Sequence, residues 1–207
     1  MSKHSADPTI SRRSWLLAGL AAPLLRGTTH SGLTLSFDGD NLHVAAPELH
    51  FLTGRPLSHL QDGATVVFLS QLTIFQDSRG SVWRRAPERL TVSYDVWEDK
   101  FSVVLSTANR RVSRLSAGAA ETWCLDNLAI SALGLKPDRP FWFRLELRTA
   151  DPKDLSSVVG DPGISISGLI EVFSRKPGAG QDQWLLNAGP VRLAELPRTL
   201  ARRTRNG

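Results

Sequence analysis

The feature that most constrains the fold of this chain is a two-residue alternation of apolar and polar side chains between Leu33 and Arg148. Successive side chains of a β-strand point to opposite faces of a sheet, so this alternation predicts strands with one buried face. The clearest example is the segment 141–148, whose apolar members are Phe141, Phe143, Leu145 and Leu147 and whose polar phase holds Trp142, Arg144, Glu146 and Arg148.

Two pairs of alternating segments are separated by short polar connections, which is typical of antiparallel hairpins. The first pair comprises residues 33–37 and 42–46, on either side of the turn residues Asp38-Gly39-Asp40-Asn41. The second pair comprises residues 90–97 and 101–105, joined by Glu98-Asp99-Lys100. The apolar run 64–75 is long and rich in β-branched and aromatic residues, which favours a central strand.

Three segments favour helices. Residues 55–62 predict a short helix ended by Gly63, and residues 167–175 predict another. In residues 115–133 the apolar residues recur at three- and four-residue spacing, which predicts one longer helix ended by Gly134 and Pro137. In a last strand, 184–193, Gly189-Pro190 favours an edge or bulged position. The predicted fold is mainly β (α+β): an antiparallel β-sandwich or strongly curved sheet with one packed helix at about 115–133.

The positive charge of the chain lies at its ends. Residues 1–31 carry +3, the tail 197–207 carries +4, and the stretch 32–196 carries −2. A nucleic-acid-binding domain needs its cations clustered on a folded face, so we expect no nucleic-acid partner. We predict a single β-rich domain over 32–196 and a basic tail that either is a frayed terminus or touches an anionic membrane surface.

The N-terminus has the pattern of a targeting signal. Ser11-Arg12-Arg13-Ser14-Trp15-Leu16-Leu17 precedes a short, uncharged and mostly apolar stretch, which is typical of a secretory signal and too short for a membrane span. The heptapeptide resembles the twin-arginine export signal, which implies that Arg12 and Arg13 direct export of the folded protein to the periplasm or another extracytoplasmic site. The alternative is a basic amphipathic helix of a cytosolic protein.

Motifs for common catalytic chemistry are absent from the sequence: it contains no nucleophile elbow, no dinucleotide-binding glycine pattern and no phosphate-binding loop. Cys124 falls on the apolar stripe of its predicted helix, where cysteine is usually inert. His43 and His50 lack metal-ligand spacing. We therefore predict no cofactor, no metal and no catalytic residues.

The aromatic residues give the most specific site prediction. Trp97 shares the polar phase of its predicted strand with Asp95, and Trp142 shares that phase with Arg144 and Glu146. An indole beside charged groups on one sheet face is a stacking platform for a sugar, lipid or peptide. The alternative is that the helix predicted at 115–133 covers this face, with Trp123 packed between them.

A family resemblance rests on three features between residues 42 and 148. They are the alternating segment Leu42–Leu52, the run Leu60-Gln61-Asp62-Gly63-Ala64 before a long strand, and an arginine-bearing connection before Leu90-Thr91-Val92-Ser93-Tyr94-Asp95. In these the chain resembles a family of exported bacterial proteins of unknown function. The resemblance implies an extracytoplasmic β-rich domain and supplies no site residues.

These observations predict an exported, envelope-associated binding domain whose partner is a protein, glycan or lipid. Two alternatives belong to other classes. One is an envelope hydrolase with a carboxylate pair, Asp95 and Glu146, whose carboxyl groups would lie within roughly 5–10 Å of each other. The other is a lipid carrier or chaperone with an apolar groove between sheet and helix.

Overall fold

The structure is a computed structural model that describes residues 32–77, 80–150, 159–160, 163–164, 166–176, 178 and 180–199. The strands are β1 Thr34–Phe37, β2 Asn41–Ala45, β3 Val66–Phe75, β4 Val82–Asp95, β5 Lys100–Leu105, β6 Arg110–Leu115, β7 Ala129–Ser131, β8 Phe141–Thr149, β9 Val159–Gly160, β10 Gly163–Ile164 and β11 Gln183–Val191. The helices are α1 Gly54–Gln61, α2 Ala117–Asp126 and α3 Ile166–Ser174, followed by a short 3₁₀ turn Leu193–Glu195.

The larger sheet has six strands in the order β11-β8-β3-β4-β5-β6, and each neighbouring pair is antiparallel. A second sheet has the order β1-β2-β7. Strands β9 and β10, each two residues long, form a two-stranded ribbon. The prediction of a mainly antiparallel β fold with packed helices is confirmed. The long strand predicted at 64–75 is β3, which lies between β8 and β4 as expected for a segment buried on both faces.

One face of the six-stranded sheet, here called the core face, carries the apolar phase of the strands. Phe68, Leu90 and Phe143 lie on it, at most 1% exposed, and pack against residues of the three-stranded sheet and of α1 and α2. The alternation of β8 is complete at its start: residues 141, 143, 145 and 147 are buried, and 142, 144 and 146 are half-buried. The apolar sides of these strands therefore pack together in one hydrophobic core.

The helix predicted at 115–133 is shorter than expected. Helix α2 begins after Ser116, whose hydroxyl accepts a hydrogen bond from the amide of Ala119, and it ends at Asp126. Asn127 closes it by donating from its side chain to the carbonyl of Trp123. The next residues alternate between buried and more exposed, and β7 pairs with β2. Leu128 therefore lies beyond the helix, where a two-residue period begins, although its four-residue distance from Cys124 also fits a helix.

The other helix and edge predictions are confirmed. Helices α1 and α3 lie within one residue of the predicted bounds, and Gly63 after α1 has a φ of 82°, which favours glycine. Strand β11 is an edge strand, and its register with β8 shifts between Ala188 and Val191, as Gly189-Pro190 predicted. The signal segment 1–31 and most of the basic tail lie outside the described residues.

Candidate ligand-binding face

The polar phase of β8 and β4 forms the second face of the six-stranded sheet. We call it the arginine face and define it by Arg85 and Arg89 of β4 together with Arg144 and Arg148 of β8. On β8 the two arginines alternate with buried apolar residues, so they must point to the opposite side of the sheet. On β4 the register with β3 places Arg85 and Arg89 on that same side.

The registers of β8, β3 and β4 place these side chains in three cross-strand rows. The first row is Arg144, Thr73 and Arg85; the second is Glu146, Gln71 and Pro87; the third is Arg148, Leu69 and Arg89. Four arginines therefore surround one glutamate on neighbouring strands, and this part of the face is electropositive.

Helix α3 covers the third row. Leu169 and Val172 of α3 pack on Leu69, and the guanidinium of Arg148 lies 4.3 Å from the ring centroid of Phe173. Arg148 is only 1% exposed, and its Nη1 donates to the carbonyl of Arg175 at 3.3 Å. Arg148 is thus committed to holding α3 on the sheet.

The first row is more open. Arg85 is exposed, whereas Arg144 is half-buried and its Cζ lies 4.9 Å from the centroid of the Phe75 ring. The Nε of Arg144 donates to Oδ1 of Asn187 at 2.9 Å, which fixes the direction of the guanidinium. Trp142, opposite Phe75 in register, is half-buried at the end of the same face.

One buried polar atom in the second row and one in the third have no hydrogen-bond partner. In the second row Gln71 is 6% exposed and its Oε1 accepts no hydrogen bond, and in the third row the Nε of Arg89 is buried and donates none. Glu146 beside them accepts from Nε2 of Gln183 at 2.9 Å. A buried polar group without a partner costs about 1–3 kcal/mol, so these two atoms need an explanation.

The structure separates the predicted site residues into two groups. Trp142, Arg144 and Glu146 lie together on the arginine face, but Trp97 is outside any strand, in the turn between β4 and β5. Residue 82 pairs with Phe75 in the neighbourhood of Trp142, and Asp95 lies thirteen residues further along β4, about 40 Å at the rise of a strand. The prediction of one indole platform containing both tryptophans is wrong, because register places them at opposite ends of the sheet.

The turn that carries Trp97 is well ordered by hydrogen bonds. Oδ1 of Asp95 accepts from the amides of Trp97 and Glu98 at 2.9 and 3.1 Å, and Tyr94 donates to Asp99 at 2.6 Å. That bond to the carboxylate raises the pKa of Tyr94. The Trp97 side chain itself is 97% exposed. Asp95 therefore shapes the turn, and the indole at its tip points into solvent.

The same registers exclude the carboxylate pair. Glu146 lies in the row of Pro87, and Asp95 is eight residues further along β4, about 26 Å away. This separation is well beyond the roughly 5–10 Å that two carboxylates of a glycosidase need.

Helix α2 does not cover the predicted platform. Its buried residues Ala120 and Cys124 belong to the core cluster together with Phe143 and Leu145, so the helix packs on the core face. Trp123 packs against that same cluster. The alternative of a helix lying on Trp142 with Trp123 between them is therefore wrong.

The remaining titratable groups have structural contacts. Cys124 is buried, and burial together with nearby Glu121 raises its thiol pKa to about 12. Oε1 of Glu121 accepts from the amide of Leu52 at 2.7 Å, and its Oε2 lies 2.9 Å from Nδ1 of His50. These contacts tie α2 to the segment before α1. Within the described residues, no group of three or more His, Cys, Asp or Glu side chains is arranged to hold a metal ion.

The sequence analysis missed Arg85, Arg89 and Gln71. A signal for the two arginines was present, because they stand four residues apart with Pro87 between them, in the phase opposite to Leu90. Gln71 gave no signal, since polar and apolar residues do not alternate regularly in the run 64–75 that contains it. Only pairing with β4 and β8 shows that it shares a row with Glu146.

Comparisons with family models, with curated proteins and with solved structures found no match to this chain. No helix among the described residues is long and apolar enough to cross a membrane.

Proposed function

We propose that this chain is an exported binding domain and that the arginine face binds an anionic component of the cell envelope. The observation that carries the proposal is the set of three arginines, Arg85, Arg89 and Arg144, on two strands that flank β3. Guanidinium groups recognise carboxylates and phosphates through paired hydrogen bonds. A rigid sheet also holds them in fixed positions, which reduces the entropy lost on binding.

Export is supported by the sequence of residues 11–17 and by the family resemblance. A reporter that must fold before transport, fused to residues 1–32, tests this part of the proposal. Replacing Arg12 and Arg13 together by lysine is expected to leave the reporter in the cytoplasm, and Arg26→Lys is the matched control. Normal export of the double variant would contradict a twin-arginine signal.

A carrier with an apolar groove is less well supported. The interior between the core face and its cover is filled by side chains such as Phe51, Phe68 and Leu72, each at most 1% exposed. A cleft of about 100 Å³ does lie near the start of β8, where Leu135, Lys136 and Phe141 contribute to its lining. That volume is below the roughly 300–1,000 Å³ typical of small-molecule sites.

The binding proposal is tested by following the tryptophan emission of the full chain during titration with polygalacturonate, poly-L-glutamate and phosphatidylglycerol vesicles. We expect at least one polyanion to change the emission of Trp142. Arg144→Ala is expected to weaken that response at least tenfold, while Trp97→Phe, at the far end of the sheet, leaves the affinity unchanged. No response to any of the three polyanions, or a response that Arg144→Ala does not alter, would overturn the proposal.

A further inference from the structure

A small cleft lies where strand β3 ends and strand β8 begins. Its volume is about 100 Å³, and its lining includes Gln76, Leu135, Lys136, Arg139, Pro140 and Phe141. The first of these residues directly follows β3, the next four belong to the connection between β7 and β8, and the last begins β8. Phe141 is part of the hydrophobic core, so the floor of the cleft lies on the core side of the sheet and not on the arginine face.

The connection between β7 and β8 is held in place by contacts of its own. The amide of Arg139 donates to the carbonyl of Lys136 at 3.2 Å, which forms a turn between the two cations. Gly134 also lines the cleft and has a φ of 92°, which favours glycine. It lies against the ring of Trp83, since a Cβ added there would be 3.4 Å from Cζ2 of that ring. The wall of the cleft is therefore positioned before a ligand binds, which reduces the entropy lost on binding.

The rim of the cleft is positively charged. Lys136 and Arg139 are both exposed, and the ion pairs among the described residues include neither of them. None of the residues that line the cleft is acidic: Asp138 stands between the two cations in sequence but is not part of the lining, nor is Asp77, whose carboxylate accepts from the amide of Ser81 at 3.0 Å. Two cations without a carboxylate partner favour an anionic ligand, and a guanidinium binds a carboxylate through paired hydrogen bonds.

The floor and the volume restrict what this anion is. Leu135, Pro140 and Phe141 provide apolar surface, whereas Gln76 adds one amide group that can donate to an oxygen. A cavity of about 150 Å³ holds benzene, so the cleft admits a ligand of about five or six non-hydrogen atoms. An inorganic phosphate of that size places oxygens against the apolar floor, which is unfavourable without hydrogen bonds. A carboxylate with a short alkyl chain places only carbon there.

On these grounds we infer that the cleft binds a short-chain carboxylic acid in its ionised form: the carboxylate contacts Arg139 and Lys136, and the alkyl chain lies on Leu135 and Phe141. This site goes beyond the proposed function, because none of these residues belongs to the arginine face. The carboxylate has two sources, a free short-chain acid or the end of a longer aliphatic acid whose chain leaves the cleft. Both present the same chemistry to the rim.

The test is calorimetric titration of the full chain with butyrate, butyramide and inorganic phosphate. We expect butyrate to bind with a Kd on the order of 1 mM, which a ligand of this size allows. Butyramide has nearly the same shape but no charge, and phosphate has charge but no apolar part, so each is expected to bind at least tenfold more weakly. Absence of butyrate binding, or binding of butyramide or phosphate as tight as that of butyrate, would overturn the inference.

Titration with octanoate distinguishes the two sources of the carboxylate. An affinity for octanoate higher than that for butyrate assigns the end of a longer aliphatic acid, because the additional carbons gain contacts outside the cleft. An equal or lower affinity for octanoate assigns the free short-chain acid.

Substitutions at the rim test recognition without disturbing the core, because both cations are exposed. Arg139→Gln is expected to lower the affinity for butyrate at least tenfold, and Lys136→Gln about threefold, with the unfolding midpoint unchanged in both. Arg139→Lys keeps the charge but not the paired hydrogen bonds, so an intermediate loss is expected. Butyrate binding that Arg139→Gln leaves intact would overturn the inference.

Two further variants are the controls. Arg111→Gln removes an exposed arginine from the edge strand β6 and is charge-matched to Arg139→Gln. Arg144→Ala alters the arginine face and not the cleft, so it tests the proposed function separately from this inference. We expect neither variant to change the affinity for butyrate. A loss in either one equal to that in Arg139→Gln would show that the carboxylate is not bound in the cleft.

Discussion

The two faces of the six-stranded sheet are built by the same strands but differ in how deeply their side chains are buried. On the core face, Phe143 and Leu145 are at most 1% exposed under the three-stranded sheet and the helices α1 and α2. On the arginine face, Arg144 and Glu146 stand between those two residues in sequence and remain half-buried. Helix α3 covers one end of this face, where Leu69 and Arg148 lie.

This difference shows how one alternating pattern separates buried side chains that stabilise the fold from polar side chains that remain accessible. The apolar phase buries area and supplies most of the free energy of folding. The polar phase carries groups that water or a ligand can reach, so substitutions there change binding more than folding. The predictions below test this division, beginning with the largest expected effect.

Leu145→Ala on the core face is expected to lower the free energy of unfolding by about 2–5 kcal/mol, because it removes buried methyl groups and leaves a cavity. Glu146→Ala, one residue further and on the arginine face, is expected to cost less than about 1 kcal/mol. Urea denaturation followed by circular dichroism measures both variants. Equal losses of unfolding free energy would show that the two faces contribute equally to stability.

Glu88 is an acidic residue on the core face, 7% exposed, and it tests whether that face tolerates polar groups only when they are bonded. Its carboxylate accepts from the amides of Thr107 at 2.7 Å and Ala108 at 3.0 Å, in the turn between β5 and β6. Glu88→Ala leaves those amides without this partner, and we expect a loss of about 1–3 kcal/mol. The matched control is Glu98→Ala in the exposed turn between β4 and β5, where a change below about 0.5 kcal/mol is expected.

Asp38 tests the stability of the three-stranded sheet that covers the core face. Its carboxylate closes the turn between β1 and β2 of that sheet. Partial burial opposes its ionisation, but hydrogen bonds from His43 and from the amides of Asn41 and Asp40 outweigh burial and lower its pKa from 3.8 to about 2. A lowered pKa means that ionised Asp38 stabilises the fold above about pH 4, and that this contribution is lost as the pH falls towards 2.

The measurement for Asp38 is the difference in unfolding free energy between the wild type and Asp38→Asn, followed from pH 6 to pH 2. We expect a constant difference above about pH 5 that shrinks between pH 4 and pH 2. Asp40→Asn, in the same turn, is the control. A difference that stays constant down to pH 2 would rule out the lowered pKa.

Trp97 belongs to neither face, and its substitution is expected to have the smallest effect. Trp97→Ala should change the free energy of unfolding by less than about 0.5 kcal/mol, because the side chain is 97% exposed. Trp142→Ala, which removes a half-buried ring at the end of the arginine face, is expected to cost about 1–2 kcal/mol. Chemical denaturation of the two variants under the same conditions measures both changes in unfolding free energy. A larger loss of stability for Trp97→Ala than for Trp142→Ala would contradict the exposed position of the Trp97 ring.

Much of the fold was predictable because it depends on local alternation. The hairpin of β4 and β5 follows from the two-residue period, the central strand β3 from its length and its β-branched and aromatic residues, and the edge position of β11 from Gly-Pro. The helix predicted at 115–133 was too long because of Leu128: its four-residue distance from Cys124 fits a helix, but it lies at the start of the two-residue period of β7.

The candidate site was predictable only in part, for a similar reason. Trp142, Arg144 and Glu146 are neighbours on one strand, so their shared face followed from the sequence alone. Their relation to Arg89 and Gln71 depends on the registers of β3 with β8 and β4, which bring together residues up to 81 positions apart. No local pattern specifies such pairings.

The sequence by itself determined which side chains share a face, because the period of a strand is a property of its backbone. It did not determine which strands are neighbours or the register in which neighbouring strands pair. Those were decided by tertiary packing, which optimises burial of the core face as a whole and thereby sets the registers. That packing separated Trp97 and Asp95 from Trp142 by most of the length of the sheet and brought Arg85, Arg89 and Gln71 to the face where Arg144 lies.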